Sequence, residues 1–157
     1  QLRLRDIAVE MRLDETLPKI HGSGQQLEQV MLNLISNARD AISARAETTS
    51  DSDWYEGKME IRTKAIAGDE PGVLLTFSDN GRGIPPDIRQ KIFDPFFTTK
   101  EVGKGTGLGL SISFGIIEAH NGRIEIAQTS EKGTTFQIMF PVSPAVASGV
   151  KTDAEST

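Results

Sequence analysis

The sequence predicts an α+β fold: one two-layer sandwich with a mixed, mostly antiparallel sheet and helices on one face. Three observations predict it. Residues 25–45 carry apolar side chains at three- and four-residue steps, the period of an amphipathic helix. Apolar runs at 59–66 with 73–78, and at 123–129 with 135–140, come as pairs joined by short Gly- or Pro-containing turns, the pattern of hairpins. The elements run strand, helix, two strands, helix, helix, two strands, an order that belongs to the α+β class.

The elements follow in order. Residues 2–13 place Ile7, Val9, Met11 and Leu13 on one parity, predicting a strand with one buried face. Pro18 interrupts it, and Lys19-Ile20-His21 could form a very short strand. Gly22-Ser23-Gly24 is a turn able to cap the helix, whose stripe is Leu27, Val30, Met31, Leu34, Ile35, Ala38 and Ile42. Residues 47–57 are polar and read as a loop. Asp69-Glu70-Pro71-Gly72 turns the first hairpin. A Gly- and Pro-rich loop spans 79–86, a short helix 87–93, and a long loop 94–106. A second apolar helix runs from Gly107 or Leu108 to His120. Asn121-Gly122 and Glu131-Lys132-Gly133 turn the last two strands. Residues 1–142 form the domain, and 143–157, small and polar, are expected to be a disordered tail.

Gross properties bound the function. At 157 residues, 37% hydrophobic and 25% charged, the chain is the size and composition of one globular domain. A net charge of −5 gives no footprint for nucleic acid. The absence of cysteine removes disulfides and thiolate chemistry. No apolar run approaches the roughly 20 residues of a membrane span, and no secretory signal opens the chain. Gln1 as first residue suggests a fragment of something longer. A cytoplasmic location is expected, with anchoring of the parent left open.

Three polar clusters carry the chemistry. Asn33 and Asn37 lie four apart on one helix face, at the edge of the apolar stripe. An amide oxygen is a hard ligand suited to Mg2+; the alternative is that both amides cap or bridge nearby backbone. Asp79-Asn80-Gly81-Arg82-Gly83-Ile84 follows a strand, so a carboxylate at the strand end could accept from an exocyclic amine while Gly81 and Gly83 admit a close backbone turn. Gly103-Lys104-Gly105-Thr106-Gly107-Leu108-Gly109-Leu110 precedes a helix, where free amides would cradle phosphate. It is neither a Walker loop nor a dinucleotide fingerprint. Between the last two, Phe93, Phe96 and Phe97 suggest a small core pinning a lid, with Lys100 and Lys104 placed to meet phosphates. The Thr134 hydroxyl could bond the base or the Asp79 carboxylate, or simply be a β-branched strand residue.

In this order the clusters resemble the ATP-binding domain of sensor histidine kinases, within the superfamily of gyrase, Hsp90-type chaperones, histidine kinases and MutL. The resemblance covers residues 5–141: an N box (Asn33 to Ala38), glycine boxes at Asp79 to Gly83, Gly105 to Gly109 and Gly133 to Phe136, and an F box at Phe93 to Phe97. The stretch 93–111 is similar to nitrogen-regulation-type sensor kinases. The resemblance implies an ATP and Mg2+ site with Asn37 as metal ligand and Asn33 in support. Asp79 would read the adenine amine with Thr134, and Gly83 and Ile84 would line the base pocket. A lid from about Arg89 to Gly107 and amides around residues 105–110 would take the phosphates, with Phe97 and Asp40 also lining the site.

Two departures sharpen this. ATPases of the superfamily place a general-base glutamate four residues before the magnesium asparagine; here Asn33 stands there, and Glu28 lies nearly opposite Asn37 on the helix. Many sensor kinases carry Lys or Arg three residues after that asparagine; here it is Asp40, which shifts the expected cation contacts to Lys100 and Lys104. Neither His21 nor His120 resembles a phospho-acceptor; both are expected to be structural, with His120 as a cation at a helix C-terminus. The expected partners are therefore a histidine-bearing dimerisation domain of a homodimeric parent and a response-regulator receiver domain. This fragment is expected to be monomeric and unable to phosphorylate itself. Rival readings are a stand-alone ATPase, an anti-sigma-type serine kinase and a non-enzymatic docking module.

Overall fold

The computed structural model describes residues 7–49, 55–99 and 106–142. The expected tail at 143–157 lies outside them. Five strands and two α-helices appear: β1 (Ala8–Arg12), α1 (Gly24–Thr48), β2 (Lys58–Ile66), β3 (Gly72–Asp79), α2 (Gly109–Ala119), β4 (Arg123–Ser130) and β5 (Gly133–Pro141). They form one sheet of order β1-β2-β3-β5-β4. β1 pairs β2 in parallel and every other pair is antiparallel. The predicted α+β architecture is what forms.

Strand parity builds the core. Val73, Phe77 and Asp79 share a face of β3 and pair with Phe140, Phe136 and Thr134 of β5. Of these, all but Asp79 are buried, and Phe77 and Ile138 are 1% exposed. α1 sets Val30, Leu34, Ala38, Ile42 and Ala46 against this face, and α2 adds Ile116 and Ile117. Truncating Phe77 to alanine would cost about 3–5 kcal/mol on this packing alone. Because Asp79 and Thr134 continue the same parity, they stand at the end of the core face.

Four details differ from the sequence reading. Val9 and Met11 register with Met59 and Ile61 and so share the core-facing parity. Yet Val9, Met11 and Leu13 are 56%, 65% and 55% exposed. α1 packs on β3 and α2 on β4, so the helical layer stops short of the edge strand. Residues 19–21 form no strand, since the sheet edge is already taken by β1. α1 runs on to Thr48, where the Thr48 and Thr49 hydroxyls each donate to the Arg45 carbonyl at 2.9 Å and close the last turn. The expected helix at 87–93 is only a 3-10 turn, Pro86–Ile88, continued as a staircase of three-residue steps: Ile88 to Pro85, Lys91 to Ile88, Asp94 to Lys91 and Phe97 to Asp94. Each of these amides bonds three residues back and not four, so the segment never closes an α-helical turn.

His120 joins the two helices. Its Nδ1 donates to the Ile116 carbonyl at 2.7 Å, and its Nε2 accepts the Ser23 amide at 3.0 Å, beside the N-cap of α1. It is structural, as expected, but not as a cation: an imidazolium has no lone pair for the Ser23 N–H.

Candidate nucleotide site

Asp79 ends β3 on the core face, half-buried, and the chain turns at once. The Gly81 amide donates to its Oδ1 at 2.8 Å, and the Thr134 amide also supports the carboxylate. Burial pushes its pKa up to about 6, and the two amides pull it down. The turn is held from below by Asn80. Its Oδ1 accepts the Lys58 amide at 2.7 Å, its Nδ2 donates to Glu56 O at 2.8 Å, and its own carbonyl accepts from Arg45 and Tyr55, each at 2.8 Å. The Arg45 guanidinium also stacks 5.0 Å over the Tyr55 ring. Asn80 is thus consumed by the scaffold, while the described partners of the Asp79 carboxylate are the two amides.

The rest of the loop lies on the β4-β5 hairpin. Gly83, at φ +73°, sits so close to Ser130 that a Cβ would collide with the Ser130 carbonyl. The Ile84 amide donates to Thr129 Oγ1 at 2.9 Å, and that hydroxyl also meets Thr134 Oγ1 at 3.1 Å. Of the roles open to Thr134 in the sequence, a hydroxyl bond to Asp79 is not the one formed: the hydroxyl meets Thr129 and the amide goes to Asp79. Thr129 was missed because nothing local in a strand threonine signals a partner 45 residues away.

A second cleft of about 290 Å³ opens between α1 and the start of α2. Asn33, Asn37, Asp40, Phe97, Thr106, Gly107, Gly109 and Leu110 line it, together with Ser36, Arg39, Ile92 and Thr98. Most of the predicted phosphate-end residues are therefore brought together. Leu108 stands at the N-cap of α2, where no side-chain cap hydrogen bond is made among the described residues. Lys100, Lys104 and Gly105 lie outside the described residues.

The two asparagines divide their roles. Asn33 Nδ2 donates to Gly109 O at 3.0 Å and to Ser113 Oγ at 3.1 Å, bridging α1 to α2. This is the bridging alternative, realised at one of the two positions. Asn37, in the same cleft, makes no side-chain hydrogen bond among the described residues, so its oxygen is available to a cation. No group of three or more His, Asp or Glu side chains among the described residues could hold a metal by itself. A single neutral amide suits an ion whose other ligands are phosphate and water. Arg39, also missed, sits on the cleft wall with its guanidinium 3.2 Å from Asp40 Oδ1. It returns a helix-borne cation next to the acidic residue that had seemed to replace one.

The F box splits. Phe93 packs against Phe114 and Phe136 with ring centroids at 5.6 and 6.5 Å, and Phe97 joins the core edge. Phe96 does not: it is 75% exposed at φ +65°.

Comparison with known proteins agrees with this geometry. Residues 22–144 match the family described as histidine kinase-, DNA gyrase B-, and HSP90-like ATPase. The chain is 40% identical over 150 residues to the two-component sensor PprA of Pseudomonas aeruginosa, covering 94% of this chain and 15% of that protein. It is 36% identical to the sensory histidine kinase/phosphatase NtrB of Rhizobium meliloti, covering 94% of this chain and 38% of NtrB. The chain thus spans well under half the length of these relatives. Among solved structures, the catalytic domain of histidine kinase ThkA superposes with a TM-score of 0.65 at 32% identity, over 86% of this chain and 78% of that one. Full-length ShkA in complex with AMPPNP gives 0.66 at 26% identity, over 88% and 27%. With the family matched across most of its length, the chain belongs to the histidine kinase-, DNA gyrase B- and HSP90-like ATPases, as an ATP-binding domain of the sensor histidine kinase type.

Proposed function

We propose that this domain binds Mg-ATP and serves as the phosphoryl-donor half of a two-component sensor kinase. The acceptor is a histidine on a dimerisation domain outside this chain. The carrying observation is the engagement of Asn33. At the position where superfamily ATPases keep a general base, a neutral amide is tied to Gly109 and Ser113, and an amide cannot take a proton from water.

The Asp79 carboxylate accepts from the adenine amino group, and Ile84 closes on the base from a loop pinned by Thr129. The first-turn amides of α2, with Arg39 and the lid lysines Lys100 and Lys104, receive the phosphates. Asn37 would hold Mg2+, which supplies charge neutralisation at the phosphate oxygens. The histidine nitrogen then forms its bond to the γ-phosphorus as the bond to the β–γ bridging oxygen breaks, and ADP departs. A regulator aspartate subsequently takes the phosphoryl group. The proposed setting is cytoplasmic, in a homodimeric parent; no helix among the described residues is long and apolar enough to cross a membrane.

The test supplies radiolabelled ATP, this domain and a separate histidine-bearing helical hairpin from a two-component kinase. Label on the hairpin histidine, with negligible phosphate release by the domain alone, supports the reading. Steady hydrolysis without the hairpin contradicts it.

A further inference from the structure

Ser113 is the buried polar residue that the nucleotide chemistry above does not use. It lies in α2, four residues after Gly109, and is 0% exposed. Its hydroxyl donates to the Gly109 carbonyl at 2.9 Å and accepts Asn33 Nδ2 at 3.1 Å, while the same Nδ2 donates to Gly109 O at 3.0 Å. Three groups thus close a ring between α1 and the first turn of α2. Serine gains little in a helix interior and costs about 1–3 kcal/mol when buried without partners, so its placement here needs both bonds.

The ring has a directional consequence. Gly109 O accepts only, so the Asn33 atom facing it must be the nitrogen. The same nitrogen also donates to Ser113 Oγ. With the amide nitrogen held on α2, the other hydrogen-bonding atom of Asn33 is its acceptor oxygen, and Asn33 lines the same cleft as Asn37. The same ring sets the spacing between the Asn37 helix and the uncapped amides of α2. An alanine at 113 would leave the fold its volume but free the amide to rotate away from one of its two anchors.

We propose that Ser113 is a positioning residue for the phosphate end of the nucleotide. It locks the Asn33 amide with its oxygen toward the cleft and fixes the first turn of α2 against α1. This rests on the ATP-binding reading, and it predicts a split that packing alone would not give: contacts at the phosphates weaken, and contacts at the base, made by Asp79 some distance away along the sheet, do not.

The experiment titrates Mg-ATP and, separately, adenosine into the unaltered chain, Ser113→Ala and Ser113→Cys, with melting temperatures measured alongside. Ser113→Ala is expected to weaken Mg-ATP about five-fold, the worth of one hydrogen bond, and to leave adenosine within about two-fold. Ser113→Cys, which keeps the volume and a weaker polar atom, should fall between. It also serves as the readable variant if the alanine form is unstable. Mg-ATP affinity unchanged in Ser113→Ala would overturn the proposal. So would equal losses for Mg-ATP and adenosine, which would mark Ser113 as packing only. Failure of the unaltered chain to bind either ligand would instead remove the ATP reading beneath it.

Discussion

The backbone of Gly107 rests directly on the backbone of Phe96: a Cβ on Gly107 would lie 2.5 Å from the Phe96 carbonyl carbon. Both residues have φ +65°. Phe96 leaves the F box and Gly107 leads into α2, so this contact ties the two together. Gly107 is therefore required by its neighbour, apart from any role toward the phosphates proposed above.

Gly107→Ala follows from that contact. The substitution must adopt a left-handed backbone and displace Phe96, at a cost of about 1–3 kcal/mol. Since the contact is a local feature, the melting temperature should fall by only a few degrees, while Mg-ATP affinity drops at least ten-fold. Calorimetry on the variant checks it; wild-type affinity would show that the contact does not govern the lid.

Asp79 gives two pH effects of opposite sign. Its folded pKa, near 6, lies above the ordinary carboxylate value of 3.8, so the folded state holds the proton more tightly than the unfolded one. Without nucleotide, this group's contribution to stability is therefore greatest at low pH. It declines between about pH 4 and pH 6, by up to about 3 kcal/mol. Binding runs the other way, because the ionised carboxylate is the much stronger acceptor for the adenine amine. ATP affinity should be about ten-fold weaker at pH 5 than at pH 7. Comparing denaturant melts and titrations of the parent and Asp79→Asn across this range isolates both; a matching pH slope in the two proteins would show that Asp79 is not the titrating group.

Restoring the ATPase glutamate should not create an ATPase. In Asn33→Glu a carboxylate would face the Gly109 carbonyl, replacing a donor with an acceptor. The expected results are a loss of about 2–3 kcal/mol of stability and no gain in steady phosphate release. A coupled phosphate assay decides it: robust turnover would mean that position 33 can reach water after all.

The parts of this site that were legible in the sequence are the ones with unusual backbone demands. Gly83 and Gly107 stand at positive φ, Asp79 stands at a strand end on core parity, and an asparagine pair interrupts an apolar helix stripe. Each leaves a local trace in residue type and spacing. What was not legible depends on the layers coming together. Asn33 finds Gly109 across 76 residues, and Thr129 finds Ile84 across 45. Val9 and Met11 have the correct parity but the wrong exposure, because alternation fixes a strand's face and not whether a helix covers it. The helix expected at 87–93 is a 3-10 turn continued in three-residue steps, a difference in hydrogen-bond step that apolar spacing does not encode.

The central claim is that Asp79 holds the adenine of a bound ATP. The most direct measurement is calorimetric titration of Mg-ATP into the parent chain and into Asp79→Asn at pH 7. Loss of a charge-assisted hydrogen bond at a half-buried site predicts at least a thirty-fold weaker Kd in the variant, about 2 kcal/mol, with the fold intact. Equal affinity in the two proteins would contradict the account.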